Sequence, residues 1–333
     1  MNYNVILFVD SSMMGGIETH LLELSKLLTK NNISNSILFY KDHSNDAFYK
    51  LLDNDNVNYE FLTGNISSLL SKVNTNTVLH THGYKAGIIG RLVSKIKGIH
   101  CVSTYHAGER GEGRVKLYNY IDKLLSPLST NFAVSNEIGN KIHSAELLEN
   151  FISINEPLAK KQQFGSIVRV GFVGRLSHEK GPDIFTQVAK AMANNTKVEF
   201  HIFGDGPLKN ELPTLPNLNF HGLTKRDQIW HQIDVLLISS RAEGLPMTLL
   251  EAMANHIIVV STPVGAIPNV ISHESNGYLA DAPTAKFCED ALTHLIHSSV
   301  AKQQSILQKA YTLVEARFSG EKQIKQILAA YKH

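Results

Sequence analysis

The chain is poor in cysteine, in net charge and in long apolar runs. Two cysteines in 333 residues, Cys101 and Cys288, cannot build a disulfide framework and read as small buried hydrophobes. Lys and Arg number 32 against 30 Asp and Glu, and the balance holds on both sides of residue 160, with 15 basic and 15 acidic residues before it and 17 and 15 after. Neither half reads as a nucleic-acid-binding module on bulk charge, so any bound anion must be held by a local site. No run approaches the ~18 apolar residues of a membrane span. The opening MNYNVILFVD has no basic segment, and its apolar run is too short for a signal peptide. A cytoplasmic, reducing setting is the expectation.

What is present is an ordinary globular composition, 43% hydrophobic, in a chain too long for one compact core. Short apolar runs, read as buried strands, alternate with amphipathic stretches. Strands are expected at 5–9, 36–39, 59–61, 77–80, 101–105, 132–134 and 151–154, with helices at 16–28, 86–97, 114–125 and 137–144. The polar stretch 156–166 carries Pro157 and Gly165 and reads as a linker. A second series follows: strands at 168–173, 197–203, 218–221, 235–238, 257–260 and 277–279, a helix at 182–193, and helices only after residue 283. The rhythm predicts two Rossmann-like, doubly wound α/β domains with a ligand cleft at the carboxyl ends of their strands.

Five stretches carry chemistry. In DSSMMGGIE (10–18), Gly15 and Gly16 open a helix and let a ligand approach its first N–H groups. A tight turn using glycine for positive φ is the equal alternative. In GFVGRLSHEKG (171–181), Arg175 and Lys180 suit one anion, the first as a planar fork and the second as a point charge; an exposed loop with Glu179 paired locally is the alternative. In FGDGP (203–207), Gly204 and Gly206 leave room for a flat ring or ribose, or simply make a turn.

The sharpest stretch is RAEGLPMTLLEAMA (241–254). Pro246 suits a first helical turn, so the helix is expected from about Leu245, with Glu243 just before it and Glu251 inside. N–H groups near Gly244, Leu245, Met247 and Thr248 would then face the ligand, and the two carboxylates would read ribose and sugar hydroxyls. Glu251 in its apolar frame is costly to bury without a partner. Last, His106 in STYHAG ends a strand. His80 and His82 form H-x-H with no further ligand nearby in sequence, so no metal site is expected. Asp53 and Asp55 spell D-x-D in a polar loop before a strand and read as a decoy.

Taken together, GGIE, YHAG, GRLSHEKG, FGDGP, EGLPMTLLEA, STPVGAIP and the closing ARFSGEKQIKQILAAYK resemble retaining glycosyltransferases of family 4, which share the two-domain GT-B fold. The resemblance spans nearly the whole chain, and its most specific part is the Glu243–Glu251 spacing with GRLSHEKG some 65 residues upstream. It implies that Arg175 and Lys180 hold a donor diphosphate, Glu251 its ribose, and Glu243 the transferred sugar with amides of the following turn. It implies that Gly15 and Gly16 approach donor phosphate or acceptor, and that His106 sits beside the reacting carbon. EGLPM departs from the commoner E-G-F-G, and the strand through NGYLADAP lacks a further acidic residue that relatives often carry.

On this basis residues 1–157 are expected to bind the acceptor and 166–316 the nucleotide-sugar donor, with 317–333 a helix returning to the first domain. The implied reaction moves a sugar from a nucleotide diphosphate sugar, UDP-linked by preference, to a glycan or lipid-linked glycan. It proceeds with retention, without metal or other cofactor, in bacterial polysaccharide or lipopolysaccharide synthesis. An epimerase on the same fold and a non-catalytic two-lobed binding protein are the alternatives. A nicotinamide dehydrogenase is weaker, because G-x-G-x-x-G follows neither domain's first strand. Acceptor choice is assigned to loops at 83–86 and 107–116. Lys85, Arg91, Lys95 and Lys97 suit an anionic membrane surface, behind a plain solvated helix face.

Overall fold

The computed structural model describes residues 3–11, 15–106, 113–154 and 164–332, without the side chains of Ala47 and Asp227. The chain divides into two compact units, residues 1–153 with 320–333, and residues 154–319. Most of the expected linker and of the 107–116 loop lies outside the described residues.

The first unit runs β1 (Asn4–Val9), α1 (Gly16–Lys30), β2 (Asn35–Phe39), α2 (Asp46–Asn54), β3 (Tyr59–Phe61), α3 (Ile66–Lys72), β4 (Thr77–His82), α4 (Tyr84–Lys97), β5 (His100–Tyr105), α5 (Gly113–Leu124), β6 (Thr130–Ala133), α6 (Asn136–Gly139) and β7 (Ala145–Leu147). Its seven parallel strands take the order β3-β2-β1-β4-β5-β6-β7. The order reverses between β1 and β4, and the loops after those strands meet at the carboxyl edge of the sheet, where α/β sheets bind ligands.

Apolar spacing explains the packing. Leu21, Leu24 and Leu28 of α1 bury one face against Val5, Leu7 and Ile37 of the sheet. Ala86, Ile89 and Val93 of α4 cover the opposite face over Ile6, Phe8 and Leu79. Each such side chain, fully buried, contributes about 1.5–3 kcal/mol before chain entropy is charged against it.

The second unit runs β8 (Val168–Val173), α7 (Pro182–Ala191), β9 (Val198–Phe203), β10 (Leu218–Gly222), α8 (Arg226–Ile229), β11 (Val235–Ile238), α9 (Met247–Ala254), β12 (Ile258–Ser261), β13 (Tyr278–Leu279), α10 (Ala285–His297) and α11 (Val300–Phe318). The parallel order is β10-β9-β8-β11-β12-β13, so the switch point falls between β8 and β11. Both units therefore have the doubly wound α/β architecture expected from the sequence.

Four local expectations need correction. Residues 151–154 are not a strand: Phe151 and Ile152 are buried without strand pairing, and the seventh strand is the short, partly exposed Ala145–Leu147. The helix expected at 137–144 stops at Gly139, and Ser144 sits at φ +46. Asp53 lies in the last turn of α2 rather than in a loop, and Asp53 and Asp55 are engaged by the Tyr59 hydroxyl at 3.1 Å and Lys26 at 2.6 Å respectively.

The fourth concerns the returning segment, which begins later than residue 317. Arg317 donates to the Asn269 carbonyl at 3.0 Å and Phe318 is buried in the second unit. Gly320, at φ +88, separates α11 from α12 (Gln323–Ala330), and a methyl there would lie 2.9 Å from Leu27 Cδ1. In the first unit α12 adds Ile324, Ile327, Ala330 and Tyr331 to the α1 side of the core.

Candidate active site

The loops after β9 and β11 both pack on the loop after β8 at the carboxyl edge of the second sheet. The β11 loop is laced to the β8 loop by main-chain and ionic contacts. Arg241 N–H donates to the Glu179 carbonyl at 2.8 Å, its guanidinium grips Asp183 at 2.8 and 2.6 Å, and Ser239 Oγ donates to the Gly181 carbonyl at 2.8 Å. The Arg241 guanidinium, with smaller contributions from nearby backbone N–H groups, holds the Asp183 carboxyl below its ordinary value despite partial burial.

This lacing brings Lys180 to Glu243 across the switch point. Lys180 Nζ donates to both Glu243 carboxylate oxygens, at 2.8 and 2.7 Å, and Ser240 Oγ donates to one of them at 2.6 Å. An ammonium carries three protons, so one remains for a further acceptor. Three of the carboxylate's roughly four acceptor positions are filled, which leaves room for one hydroxyl. Glu243 thus orients Lys180 before it can touch anything else.

Arg175 is exposed and makes no side-chain hydrogen bond or ion pair among the described residues. Glu179 takes the Ser177 hydroxyl at 2.5 Å. Burial raises the Glu179 carboxyl, but that hydroxyl, a backbone N–H and the nearby Arg175 and Lys180 charges outweigh it and hold the carboxyl low.

Helix α9 begins at Met247, with Pro246 as its N-cap in extended backbone (ψ 132°), so it starts two residues later than the sequence suggests. Met247 and Thr248 are first-turn residues, whose N–H groups have no partner inside a helix. Leu245 is buried and the Gly244 carbonyl accepts from Ala266 N–H at 2.8 Å. Glu251, the fifth residue of α9, is ion-paired with Arg226 of α8. Arg226 supplies a partner for this half-buried carboxylate, and nothing in its own sequence neighbourhood marks it.

Gly204 and Gly206 have a structural reason of their own to lack a side chain. A methyl at Gly204 would lie 1.9 Å from the Gly174 carbonyl oxygen, and one at Gly206 2.5 Å from that of Leu176. They let the β9 loop pack backbone to backbone on the β8 loop, with Leu176 N–H donating to the Asp205 carbonyl at 2.9 Å. Their contribution is to hold up the segment that carries Arg175.

In the first unit, neither Gly15 nor Gly16 has positive φ, which removes the tight-turn explanation. Gly15 caps α1 in extended backbone, and a methyl at Gly16 would meet nothing within 4 Å. Residues 12–14 lie outside the described set. Beside these glycines Ser11 donates to the buried Glu18, and Asp10 accepts from His43 at 2.7 Å and Lys85 at 2.6 Å. Burial raises the Asp10 carboxyl, and the bonds to His43 and Lys85 more than reverse this.

His82 ends β4 and His106 directly follows the neighbouring β5, and His82 Nδ1 lies 3.0 Å from His106 Nε2. His20, from α1, packs on His106 with ring centroids 4.6 Å apart. Ring nitrogens of His20, His82 and His106 all fall within 4.8 Å of one another. The sequence argument against a metal rested on the lack of a third ligand near His80 and His82; His20 and His106 come from separate elements and overturn that premise. Neutral imidazoles are the metal-binding form, and these three could hold a divalent ion. A second such group, His273, Glu274 and His294, lies nearer the surface.

Burial, then repulsion between the rings, keeps His82 and His106 well below the usual histidine value. Burial lowers His20 to about 4. His80 is held to about 3, first by burial and then by His20 and His100, and its ring nitrogens bond Tyr331 Oη at 2.7 Å and Thr104 Oγ1 at 2.8 Å.

Comparison with known proteins gives this arrangement a class. Residues 168–298 match the family model described as glycosyl transferases group 1, which contains Arg175, Lys180, Glu243 and Glu251. The two-unit fold is that of GT-B glycosyltransferases: the chain superposes on Anabaena Alr3699/HepE, solved in complex with UDP and glucose, with a TM-score of 0.85 over 99% of both chains at 16% identity. It is 26% identical to the O-antigen biosynthesis glycosyltransferase WbnH of Escherichia coli, over 99% of this chain and 98% of that protein. It is 27% identical to the E. coli UDP-Gal:alpha-D-GlcNAc-diphosphoundecaprenol alpha-1,3-galactosyltransferase, over 61% of this chain and 62% of that protein. Fold, matched segment and full-length relatives together support a glycosyltransferase.

Proposed function

We propose that the protein is a retaining, family-4 hexosyltransferase that moves a sugar from a nucleotide diphosphate sugar, with UDP the favoured nucleotide, to a glycan or lipid-linked glycan acceptor in bacterial polysaccharide or lipopolysaccharide synthesis. The observation that carries this reading is Lys180, fixed by Glu243 with one proton left over, beside an uncommitted Arg175 and the first turn of α9. A departing diphosphate gains negative charge as the glycosidic bond breaks. Preorganised donors of this kind stabilise such charge more than water does. The relatives named for O-antigen synthesis and for a UDP-galactose donor support the nucleotide and the pathway.

In this reading Arg175 forks onto the phosphates, Lys180 gives them its remaining proton, and Met247 and Thr248 N–H groups add the helix terminus. Glu251, shared with Arg226, accepts ribose hydroxyls. The remaining acceptor position of Glu243 takes a sugar hydroxyl. The acceptor hydroxyl attacks on the face the diphosphate leaves, and the diphosphate takes its proton, so the anomeric configuration is kept. His106, neutral at pH 7, positions the sugar by hydrogen bonding. No metal is required, because cationic side chains and helix N–H groups supply the countercharge.

Isothermal titration with nucleotides and nucleotide sugars tests the site. Arg175→Ala, Lys180→Ala and Glu251→Ala should each weaken donor binding, and unchanged affinity in all three overturns the assignment. The anomeric configuration of the product, read by NMR coupling, tests retention. Turnover that survives exhaustive chelation supports the metal-free reading, and loss restored by one divalent ion refutes it.

A further inference from the structure

The carboxyl edge of the first sheet gathers imidazoles from three elements. In the register of β4 on β5, His80 lies beside Val102 and His82 beside Thr104, so the two histidines share one face with Thr104. His106 follows Thr104 by two residues. Helix α1 packs on that face and brings His20 against both neighbours, its ring centroid 4.6 Å from that of His106 and 5.6 Å from that of His82.

His80 is committed to Tyr331 and Thr104 through both ring nitrogens. The other three have nitrogens to spare. Among the described residues neither ring nitrogen of His20, nor Nε2 of His82, has a hydrogen-bond partner, although both residues are 0% exposed. Buried polar atoms are nearly always paired, so orphans of this kind point to a group that completes them. An apolar residue at position 20 would fill the space as Leu21 and Leu24 do on the same helix, without stranding two nitrogens.

We propose that His20, His82 and His106 together bind one divalent ion of the zinc class, through one nitrogen of each ring, and that the bound ion withholds His106 from substrate. Imidazole suits zinc, copper and nickel, whereas magnesium and calcium seek oxygen. Two nitrogens on a tetrahedral zinc lie roughly 3.3 Å apart, at Zn–N distances of about 2.0–2.1 Å. His82 and His106 already approach to 3.0 Å, and all three nitrogens fall within 4.8 Å. Small side-chain rotations therefore close the set. Asn150 lies beside His20, and its amide oxygen suits the N–H that a metal-bound imidazole keeps on its other nitrogen. His106 is partly exposed, which gives the ion an entrance and leaves its fourth position open. Withholding of His106 rests on the transferase reading, in which that ring bonds the sugar; metal binding does not. The enzyme would then work metal-free and be braked by zinc.

The test is titration of the metal-stripped full chain with buffered zinc, followed by zinc-edge X-ray absorption. Three imidazole nitrogens at about 2.0–2.1 Å are expected around the ion. His20→Leu and His82→Phe should each weaken binding about 100-fold or more, at or beyond the limit for losing a mere outer partner. Replacing the surface pair His273 and His294 (H273A/H294A) should leave this ion in place. Fewer than three imidazoles around the ion, or an ion lost from H273A/H294A and kept by both core variants, overturns the site. At free zinc about ten times its Kd, sugar transfer should fall about tenfold, in step with the fraction of chain left metal-free. It should recover on chelation, and His20→Leu, measured against its own metal-free rate, should escape the inhibition. Undiminished transfer at full occupancy overturns the withholding of His106. Zinc seated on three imidazoles in a chain that transfers no sugar supports the site and sinks the transferase reading instead.

Discussion

Lys180 and Glu243, 63 positions apart in sequence, form a chelated ion pair in which one ammonium donates to both carboxylate oxygens at 2.8 and 2.7 Å. Individually they read as a phosphate ligand and a sugar ligand. Paired, they are one device, with Glu243 setting the direction in which Lys180 presents its last proton. Replacing Lys180 with Ala should lower kcat/KM by about 10²–10³-fold. Glu243→Ala should lose a comparable factor, and the double variant should be little worse than either single one, because residues acting as a unit are not additive. Steady-state kinetics on the three variants checks this; additive losses would separate the two roles.

The glycines divide into two kinds that a thermal melt should distinguish. Gly204→Ala and Gly206→Ala force a methyl into backbone oxygens at 1.9 and 2.5 Å, and each should lower stability by on the order of 3 kcal/mol. Gly16→Ala meets open space and should change stability by no more than about 0.5 kcal/mol. Its effect should appear instead as weakened substrate binding. A Gly16→Ala protein with unaltered kinetics would leave that glycine without a function.

The buried histidines predict acid sensitivity. His20 titrates at about 4 and His80 at about 3 in the folded chain, against 6.5 when unfolded. Below pH 6.5 the unfolded chain binds protons that the native one refuses, so stability falls as pH falls. The slope is about 1.4 kcal/mol per pH unit for each such histidine, continuing until its folded value is reached. Above pH 7 these groups are neutral in both states and add no pH dependence. Denaturant melts between pH 8 and 5 should show this slope, and His20→Leu should remove its share.

Arg91 is an ion inside the fold, tied to Asp122, Ser129 Oγ at 2.7 Å and Tyr105 Oη at 2.5 Å. Burial already raises the Asp122 carboxyl to about 6 against the pull of Arg91. Arg91→Ala strands that carboxyl and should cost about 3–5 kcal/mol. Arg91→Met with Asp122→Leu should recover most of the loss in a urea titration. Equal loss in both variants would mean packing, not charge, is what Arg91 supplies.

The central strands were legible because a parallel sheet covered on both faces writes itself as unbroken apolar runs, as in Val5–Val9 and Val235–Ile238. Edge elements carry no such mark. Ala145–Leu147 pairs on one side only and is partly exposed, whereas Phe151 and Ile152 are buried without pairing and imitate a strand. Spacing drew attention to Arg175, Lys180, Glu243 and Glu251 in the second unit and to His106 in the first, because loops at strand ends leave short local signatures. It missed Arg226, Ser240, Asp10 and His20, whose importance arises only when distant elements meet. His20 is a single histidine on an amphipathic helix and looks like any other until β4 and β5 bring His82 and His106 against it. For Gly204 and Gly206 the structure adds a reason that sequence could not show, the close backbone packing of the β9 loop on the β8 loop.

Tyr331 closes the core around His80, but residues 320–333 follow the whole second unit in the order of synthesis. On a translating ribosome the first unit must wait, with its α1 groove open, while 166 residues of another unit (154–319) emerge and fold. Its last hydrophobic turn then arrives from the far end of the chain. A fragment ending near residue 319 would contain every strand of both sheets and still carry an unsealed core, making it a natural client for chaperones and a poor candidate for expression as a separate piece.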